Sequence, residues 1–143
     1  MKYCLEKVNN NDKQEIYTIK KNSIMYYVRK IWGWDEKYQV EDFENSFNPI
    51  NFKKITINQK CVGFIETHED NNVVNITEIH LITEYQGLGI GSDIIKQVIV
   101  DAKEISKTVT LGCFKENKGA INLYKRIGFK IVNKTETHIC FEI

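Results

Sequence analysis

The amino-acid sequence predicts a mixed α/β domain whose strands and helices follow the order β-α-α-β-β-β-α-β-α-β-β. The clearest helix runs from Ile90 to Ile105, where apolar residues recur every three or four positions and form one stripe. The clearest strand runs from Val73 to Ile82, because this segment is rich in β-branched residues and alternates from Ile76 onward. A glycine-rich turn joins the two, so a strand is predicted to lead through that turn into a helix.

The other elements are predicted from apolar stretches and from the turn and cap residues that separate them. Asn9-Asn10-Asn11-Asp12 can cap a helix, Trp32-Gly33-Trp34-Asp35 ends it, and Asp70-Asn71-Asn72 forms a turn. Asn48-Pro49 ends a second helix, because the residue before proline disfavours helical backbone. The predicted elements are strands over 3–8, 52–57, 61–68, 108–112, 130–134 and 137–142, and helices ending near Ile31 and covering 36–46 and 118–127.

Composition places the chain among ordinary globular proteins. With 143 residues, 42% of them hydrophobic, residues 1–143 are predicted to form a single domain with one substantial core. The formal net charge of +1 and the scattered lysines argue against a nucleic-acid partner. No apolar run reaches membrane-spanning length and the first residues do not resemble a secretory leader, so we expect a cytoplasmic protein that does not bind membranes.

The four cysteines are Cys4, Cys61, Cys113 and Cys140, and they lack the C-x-x-C spacing of zinc sites. We therefore expect no metal. Each lies in an apolar, strand-like segment, where a free cysteine most often packs as a small buried hydrophobe. No paired histidine motif supports a nucleophilic role for Cys113.

The turn Gln86-Gly87-Leu88-Gly89-Ile90-Gly91-Ser92 predicts a phosphate site. Successive backbone N–H groups at a helix N-terminus lie at the positive end of the helix dipole, and glycines let an anion approach the main chain closely. The alternative is a purely structural connection. Two nucleotide motifs are excluded, since the glycine spacing is one residue too tight for a dinucleotide fold and Gly91 is followed by Ser92-Asp93 rather than by Lys-Ser/Thr.

Two linked segments resemble those of a known superfamily. Gln86-x-x-Gly89-x-Gly91, on a strand–turn–helix, resembles the pyrophosphate-binding motif of the GNAT superfamily of N-acetyltransferases, which use acetyl-CoA. The segment from Leu111 to Phe129 is similar to the motif that follows it in this superfamily, namely a strand, Asn117-x-x-Ala120-x-x-Leu123-Tyr124, and Gly-Phe. The order and spacing of the two motifs match those of the superfamily.

The resemblance implies the GNAT-type fold, a central, mixed but mostly antiparallel sheet of about six to seven strands with a splay, flanked by about four helices. It also implies acetyl-CoA or coenzyme A as the ligand. The pyrophosphate would bind the turn, and the pantetheine arm would pair with the strand that precedes it, like an added strand. The implied cofactor-binding residues are Ile79, Leu81, Ile82, Thr83, Gln86, Gly87, Leu88, Gly89, Ile90, Gly91, Ser92, Asn117 and Tyr124. For Asn117, the alternative is a helix N-cap.

The same resemblance implies that an acetyl group is transferred to a primary amine by direct attack in a ternary complex. Tyr124 matches the family tyrosine that protonates the departing thiolate, and the alternative is a packed tyrosine with its hydroxyl at the surface. The amine must lose a proton before it attacks, either to a carboxylate acting through a water or by simple desolvation in the pocket. Glu78 and His80 share one face of the predicted strand and are the candidate bases, with surface charge as the alternative. Where some relatives carry a glutamate base, this chain has Asn75.

The resemblance also implies that substrate-binding residues lie in the N-terminal half, here at Tyr27, Trp32 and Trp34. The tryptophans and Asp35 can grip an amine by cation–π contact and a carboxylate, or they can form a hydrophobic staple that buries one tryptophan. The expected partner is a small-molecule or peptide amine, and the last strand, ending in Phe141-Glu142-Ile143, could pair across a homodimer. A different function on the same fold is a non-catalytic acyl-CoA-binding sensor or regulatory module.

Overall fold

The computed structural model describes residues 2–143 and contains the predicted order of elements. Seven strands form one mixed, mostly antiparallel sheet in the order β1-β2-β3-β4-β5-β7-β6, with β4 and β5 parallel. The strands are β1 (Cys4–Lys7), β2 (Phe52–Ile57), β3 (Lys60–Glu69), β4 (Val73–Leu81), β5 (Thr108–Phe114), β6 (Lys130–Lys134) and β7 (His138–Glu142). The helices are α1 (Lys13–Ile31), α2 (Glu36–Ser46), α3 (Ile90–Glu104) and α4 (Lys118–Ile127).

The chain divides into two compact units. The first contains the residues up to Glu66 together with Ile79–Leu88. Its core joins one face of α1 and α2 to the sheet, and aromatic rings of Phe43, Phe47, Phe52 and Phe64 follow one another at centroid distances of 4.9–5.7 Å. Burying such rings is the main favourable contribution to the packing of a small unit.

The second unit contains Thr67–Glu78 and Gly89–Ile143. The apolar stripe predicted for α3 is buried at Ile90, Ile94, Ile95, Ile99 and Ala102. On β5 and β7, alternate residues are buried, as expected for strands with one covered face.

The ladder between β4 and β5 is short. Residue pairs run only from Val73↔Thr108 to Ile76↔Leu111, although β4 continues to Leu81 and β5 to Phe114. Beyond Ile76, β4 therefore has no partner in this ladder. This is the splay that the family resemblance implied.

The last strand does not offer an edge for a dimer. β7 pairs with β5 on one side and with β6 on the other. The prediction that this strand pairs across a homodimer is therefore wrong, because its backbone hydrogen bonds are already used within the sheet.

The cysteines only partly match the prediction that all four are buried. Cys113 is buried, Cys61 and Cys140 are half-buried, and Cys4 is exposed; all are free thiols. Burial raises the pKa of Cys61 and of Cys113 to about 11, so neither is a thiolate at neutral pH. Within residues 2–143 no helix has the length and hydropathy of a membrane span, and no cluster of ligand-type side chains suits a metal ion.

Candidate active site

The glycine-rich turn has the backbone geometry that the sequence predicts. Gly87 and Gly89 adopt φ values of +73° and +85°, in the left-handed region that is unfavourable for residues other than glycine. Gly89 is the N-cap of α3, and because glycine has no side chain, it cannot cap the N–H groups of the first helical turn. A Cβ atom placed on either glycine would have no heavy atom within 4 Å, so the space beside the turn is open.

The N–H groups of this turn lack protein acceptors. Gln86 donates its backbone N–H to the Thr83 carbonyl at 3.2 Å. The next backbone N–H with an acceptor is that of Asp93, which donates to the Gly89 carbonyl at 3.0 Å. Among residues 2–143, no acceptor is found for the N–H groups from Gly87 to Ser92. The run of open amides is thus one residue shorter than expected, because Gln86 closes a short 3-10 turn. Orphan amides at a helix N-terminus are the groups that bind an anion.

The exposed side of β4 starts where the ladder with β5 ends. Ile82 donates its N–H to the Val62 carbonyl at 2.8 Å, so the backbone groups of Ile82 point toward β3. Because backbone groups alternate along a strand, those of Ile79, Leu81 and Thr83 point to the opposite side. The Gln86 side chain donates to the Leu81 carbonyl at 2.8 Å and leaves the Leu81 N–H on this edge. An extended ligand can pair there, whereas the Ile82 N–H is already used.

Tyr124 combines a buried ring with an accessible hydroxyl. The residue is 8% exposed, and its ring packs against Phe141 at 5.4 Å and Phe129 at 6.0 Å. No hydrogen-bond partner of the hydroxyl is found among residues 2–143, and none of their side-chain oxygens is both fully buried and unpaired. The oxygen therefore reaches the surface. Burial raises the pKa of Tyr124 to about 12, so the hydroxyl keeps its proton at neutral pH.

Asn117 is the N-cap of α4, as one of the two interpretations predicted. Its Oδ1 accepts the N–H of Ala120 at 3.1 Å, which satisfies one of the open amides of the first turn. Its side-chain NH₂ group is not used by this cap and can donate to a ligand. The two interpretations of Asn117 are therefore compatible.

The two candidate bases lie on β4, and both are half-buried. The His80 ring contacts the Phe64 ring at a centroid distance of 5.4 Å. The Asn75 side chain, in contrast, is held by hydrogen bonds within the sheet. Its Nδ2 donates to the Thr110 hydroxyl at 2.8 Å, and its Oδ1 accepts from the Thr77 hydroxyl at 2.8 Å. Asn75 therefore serves the β4–β5 ladder and is not a proton acceptor.

A further carboxylate, Glu66, was not singled out by any motif. It is 9% exposed and lies opposite Phe52 in the β2–β3 register. Phe64, two residues earlier on β3, shares its face and contacts His80. Glu66 and His80 thus lie on one face of adjacent strands. Only the ring contact between the two strands reveals this, since an isolated Glu in an apolar strand carries no sequence signal.

The acceptor residues expected near the α1–α2 junction are held at the surface. Trp32 is 62% exposed, Trp34 and Tyr27 are half-buried, and the Tyr26 and Tyr27 rings meet edge to face at 5.2 Å. The prediction that a staple buries one tryptophan is therefore wrong. The Asp35 side chain accepts the N–H of Tyr38 at 3.1 Å and caps α2.

Glu36 fixes this junction, and sequence reasoning missed it. Its carboxylate accepts bonds from Lys21 at 2.7 Å, the Trp34 indole at 2.9 Å and the Tyr17 hydroxyl at 3.0 Å. These bonds, led by the one from Lys21, lower the pKa of Glu36 to about 2. The ammonium of Lys21 also lies 6.0 Å from the centre of the Trp34 ring. Trp34 thus has a fixed position and already faces a cation.

The family model described as the acetyltransferase (GNAT) family matches residues 13–129. The chain belongs to the GNAT family. An uncharacterized N-acetyltransferase of Methanocaldococcus jannaschii is 34% identical over an alignment of 114 residues, which covers 73% of this chain and 48% of that protein. The chain therefore spans about half the length of the curated relative it matches.

Solved structures share the GNAT fold over the whole chain. The PaiA N-acetyltransferase of Thermoplasma acidophilum, crystallised with coenzyme A, aligns with a TM-score of 0.77 at 16% identity, covering 99% of this chain and 98% of that one. An acetyltransferase of Thermus thermophilus also gives 0.77, at 13% identity and with 100% and 97% covered. Naa50 of Arabidopsis thaliana, bound to the bisubstrate analogue CoA-Ac-MVNAL, gives 0.69 at 17% identity, with 100% and 99% covered. These likenesses establish the GNAT fold.

Proposed function

We propose that this GNAT protein is an acetyl-CoA-dependent N-acetyltransferase that acts on a primary amine. The observation that supports this most strongly is the run of backbone N–H groups from Gly87 to Ser92, which has no protein acceptor and opens onto free space. Coenzyme A supplies a diphosphate that such a turn binds and an acetyl group activated as a thioester. The coenzyme A named in the structure of PaiA supports the same ligand here.

The residues present fit the rest of this ligand. Gly87, Leu88, Gly89, Ile90, Gly91 and Ser92 would hold the diphosphate through their N–H groups, and the Ser92 hydroxyl can add a bond. The free edge of β4 at Ile79, Leu81 and Thr83 would pair with the amides of the pantetheine arm, and the Asn117 NH₂ group can donate to it. Ile82 would contribute its side chain, since its N–H is bound to Val62.

The state of each group supports the catalytic role that we propose for it. The Tyr124 hydroxyl, protonated and accessible, donates its proton to the sulfur as the C–S bond breaks. A primary amine is almost fully protonated at neutral pH, so Glu78 or His80 takes up a proton from it, directly or through one water, before the N–C bond forms. No covalent enzyme intermediate is needed, because the amine attacks the acetyl group directly.

We expect the acceptor to lie against Tyr27, Trp32 and Trp34. Their exposure and the clamp on Trp34 by Glu36 support this placement. A small amine and a peptide amine both satisfy the chemistry, and the peptide analogue named in the Naa50 structure supports the second.

The direct test combines binding and turnover on the purified chain. Acetyl-CoA should raise the melting temperature, and free thiol should appear with at least one amine from a panel containing spermidine, kanamycin, lysine and a short peptide with a free α-amino group. Binding without thiol release from any amine would indicate a sensor. If acetyl-CoA left the melting temperature unchanged, the proposal would fail.

Glu78→Gln should flatten the acidic limb of the pH profile of kcat/KM. The amide cannot take up a proton, so activity should fall by roughly a hundredfold where the carboxylate was the base. Glu142→Gln is the matched control, because it neutralises an exposed carboxylate of another strand of the same sheet. If the acidic limb of Glu78→Gln were unaltered, His80 would remain as the candidate base.

A further inference from the structure

The strand pair β5 and β7 has one covered face and one open face. Cys113 pairs with Ile139 and Leu111 with Phe141, and all four residues are buried. The Tyr124 ring packs against Phe141, so α4 covers this first face. Side chains alternate across a strand, and those of the second face are exposed or half-buried. They belong to Thr110, Gly112, Phe114, His138, Cys140 and Glu142.

His138 lies on this open face, at the end of β5 where the candidate site begins. It pairs with Phe114, the last residue of β5, and the two ring centres are 4.4 Å apart. Burial, and next the neighbouring Cys113 thiol, raises the pKa of Tyr124, so this thiol lies close to the Tyr124 hydroxyl. On the other side of Phe114 the chain turns to Asn117, whose N–H donates to the Phe114 carbonyl at 2.9 Å. His138 therefore borders the strand end that lies between two residues assigned to coenzyme A.

The His138 ring is fixed on one side and free on the other. Its Nδ1 lies 2.7 Å from the Thr137 hydroxyl, and its backbone N–H donates to the Thr135 hydroxyl at 3.0 Å. Among residues 2–143, no partner is found for Nε2. Burial lowers the pKa of His138, so the imidazole is neutral at neutral pH and does not repel an ammonium group.

We propose that Nε2 of His138 accepts a hydrogen bond from the amine of the acceptor and holds this amine over the open face of β5 and β7. This rests on the proposed function and leaves the removal of the proton to Glu78 or His80. The required tautomer has its proton on Nδ1, which donates to the Thr137 hydroxyl and leaves the lone pair of Nε2 for the amine.

The contact can orient the amine throughout the reaction. An ammonium group and a neutral amine both have N–H groups to donate, so the hydrogen bond to Nε2 persists while the proton is removed. With one N–H held, the direction of the nitrogen lone pair is restricted, and such orientation contributes to the rate of attack. A histidine that only packed against Phe114 would need its ring but not its Nε2 atom.

Kinetics of three variants separate the hydrogen bond from the packing. The probe is whichever of spermidine, kanamycin, lysine and the short peptide releases thiol fastest. His138→Phe keeps a ring against Phe114 and removes Nε2, so the KM for this amine should rise at least about tenfold and the melting shift caused by coenzyme A should stay unchanged. His138→Gln can place its amide oxygen near the position of Nε2 and should keep most of the activity. His138→Asn reaches only the position of Nδ1 and should behave like His138→Phe.

The same contact can be measured without turnover. Calorimetry of this amine on the protein saturated with coenzyme A should show at least about tenfold weaker binding for His138→Phe. Thr137→Val removes the hydroxyl that fixes Nδ1, so it should weaken binding by a smaller factor and add nothing in the His138→Phe background. His68→Phe, the same change at an exposed histidine of β3, is the matched control and should bind the amine as the wild type does.

Three results would overturn the proposal. They are unchanged amine binding in His138→Phe, a His138→Asn enzyme as active as His138→Gln, and a loss in His138→Phe that is matched by an equal loss of affinity for coenzyme A. In all three the wild type still transfers acetyl groups, so the proposed function stands. A wild type that releases thiol with none of the four amines would instead contradict the proposed function, and this inference with it.

Discussion

Gly89→Glu will abolish the binding of coenzyme A. Gly89 has a φ of +85° at the N-cap of α3, and its Cα faces open space. A glutamate there would place a carboxylate beside the N–H groups that we assign to the diphosphate. It would compete for these amides and repel the diphosphate. The rise in melting temperature caused by coenzyme A should disappear, and calorimetry should detect no binding.

A substitution at Gly33 is the matched control for the backbone strain that Gly89→Glu introduces. Gly33 adopts a φ of +81° and also has no heavy atom within 4 Å of a placed Cβ. Gly33→Glu therefore introduces the same charge at a similar left-handed position in another loop. Each variant should lose roughly 1 kcal/mol or more of stability. Only Gly89→Glu should lose coenzyme A, and retained binding in that variant would remove the turn from the site.

Tyr124→Phe should lower kcat by roughly ten- to a thousandfold and leave the affinity for coenzyme A unchanged. The ring keeps its packing against Phe129 and Phe141, and the change removes only a hydroxyl that has no protein partner. Stability should therefore change little, because no internal hydrogen bond is lost. The measurement is steady-state release of thiol together with the melting shift caused by coenzyme A.

The pH dependence gives a second readout for Tyr124. Its pKa is raised by burial to about 12, so the acid form persists through the neutral and mildly alkaline range. The wild type should lose no activity through Tyr124 until the pH approaches that value. Tyr38→Phe, which removes the hydroxyl of a 60% exposed tyrosine, is the control and should keep full turnover. A Tyr124→Phe enzyme with normal kcat would assign the residue to packing alone.

Local sequence patterns predicted the elements well, and the errors have physical causes. The bounds of α2, α4, β2 and β6 agree with the prediction because capping residues, proline and glycine mark them. The last strand starts later than predicted, since the Thr135 hydroxyl accepts the N–H groups of Thr137 and His138 and forms a turn. β5 extends farther than predicted because Phe114 pairs with His138, a contact between distant parts of the chain.

In the candidate site, too, local sequence patterns predicted some features and missed those that depend on distant parts of the chain. Glycines and helix periodicity predicted the turn, and backbone alternation predicted which residues of β4 share a face. The clamp by Glu36 and the burial of Glu66 depend on neighbours from other elements, so no local pattern contains them. The interior position of β7 likewise follows from sheet order alone. Sequence therefore indicates the chemistry of the ligand better than the surroundings of the acceptor.

The open amides of the turn have a consequence for the dynamics of the free protein. Without an acceptor, the N–H groups from Gly87 to Ser92 should exchange with solvent deuterium far faster than those in the middle of α3, which are bonded within the helix. Saturating coenzyme A should turn this fast-exchanging stretch into a protected one, residue by residue. Mass spectrometry of the exchanged protein would thus map the anchoring of the ligand without any substitution, and Gly89→Glu should erase that footprint.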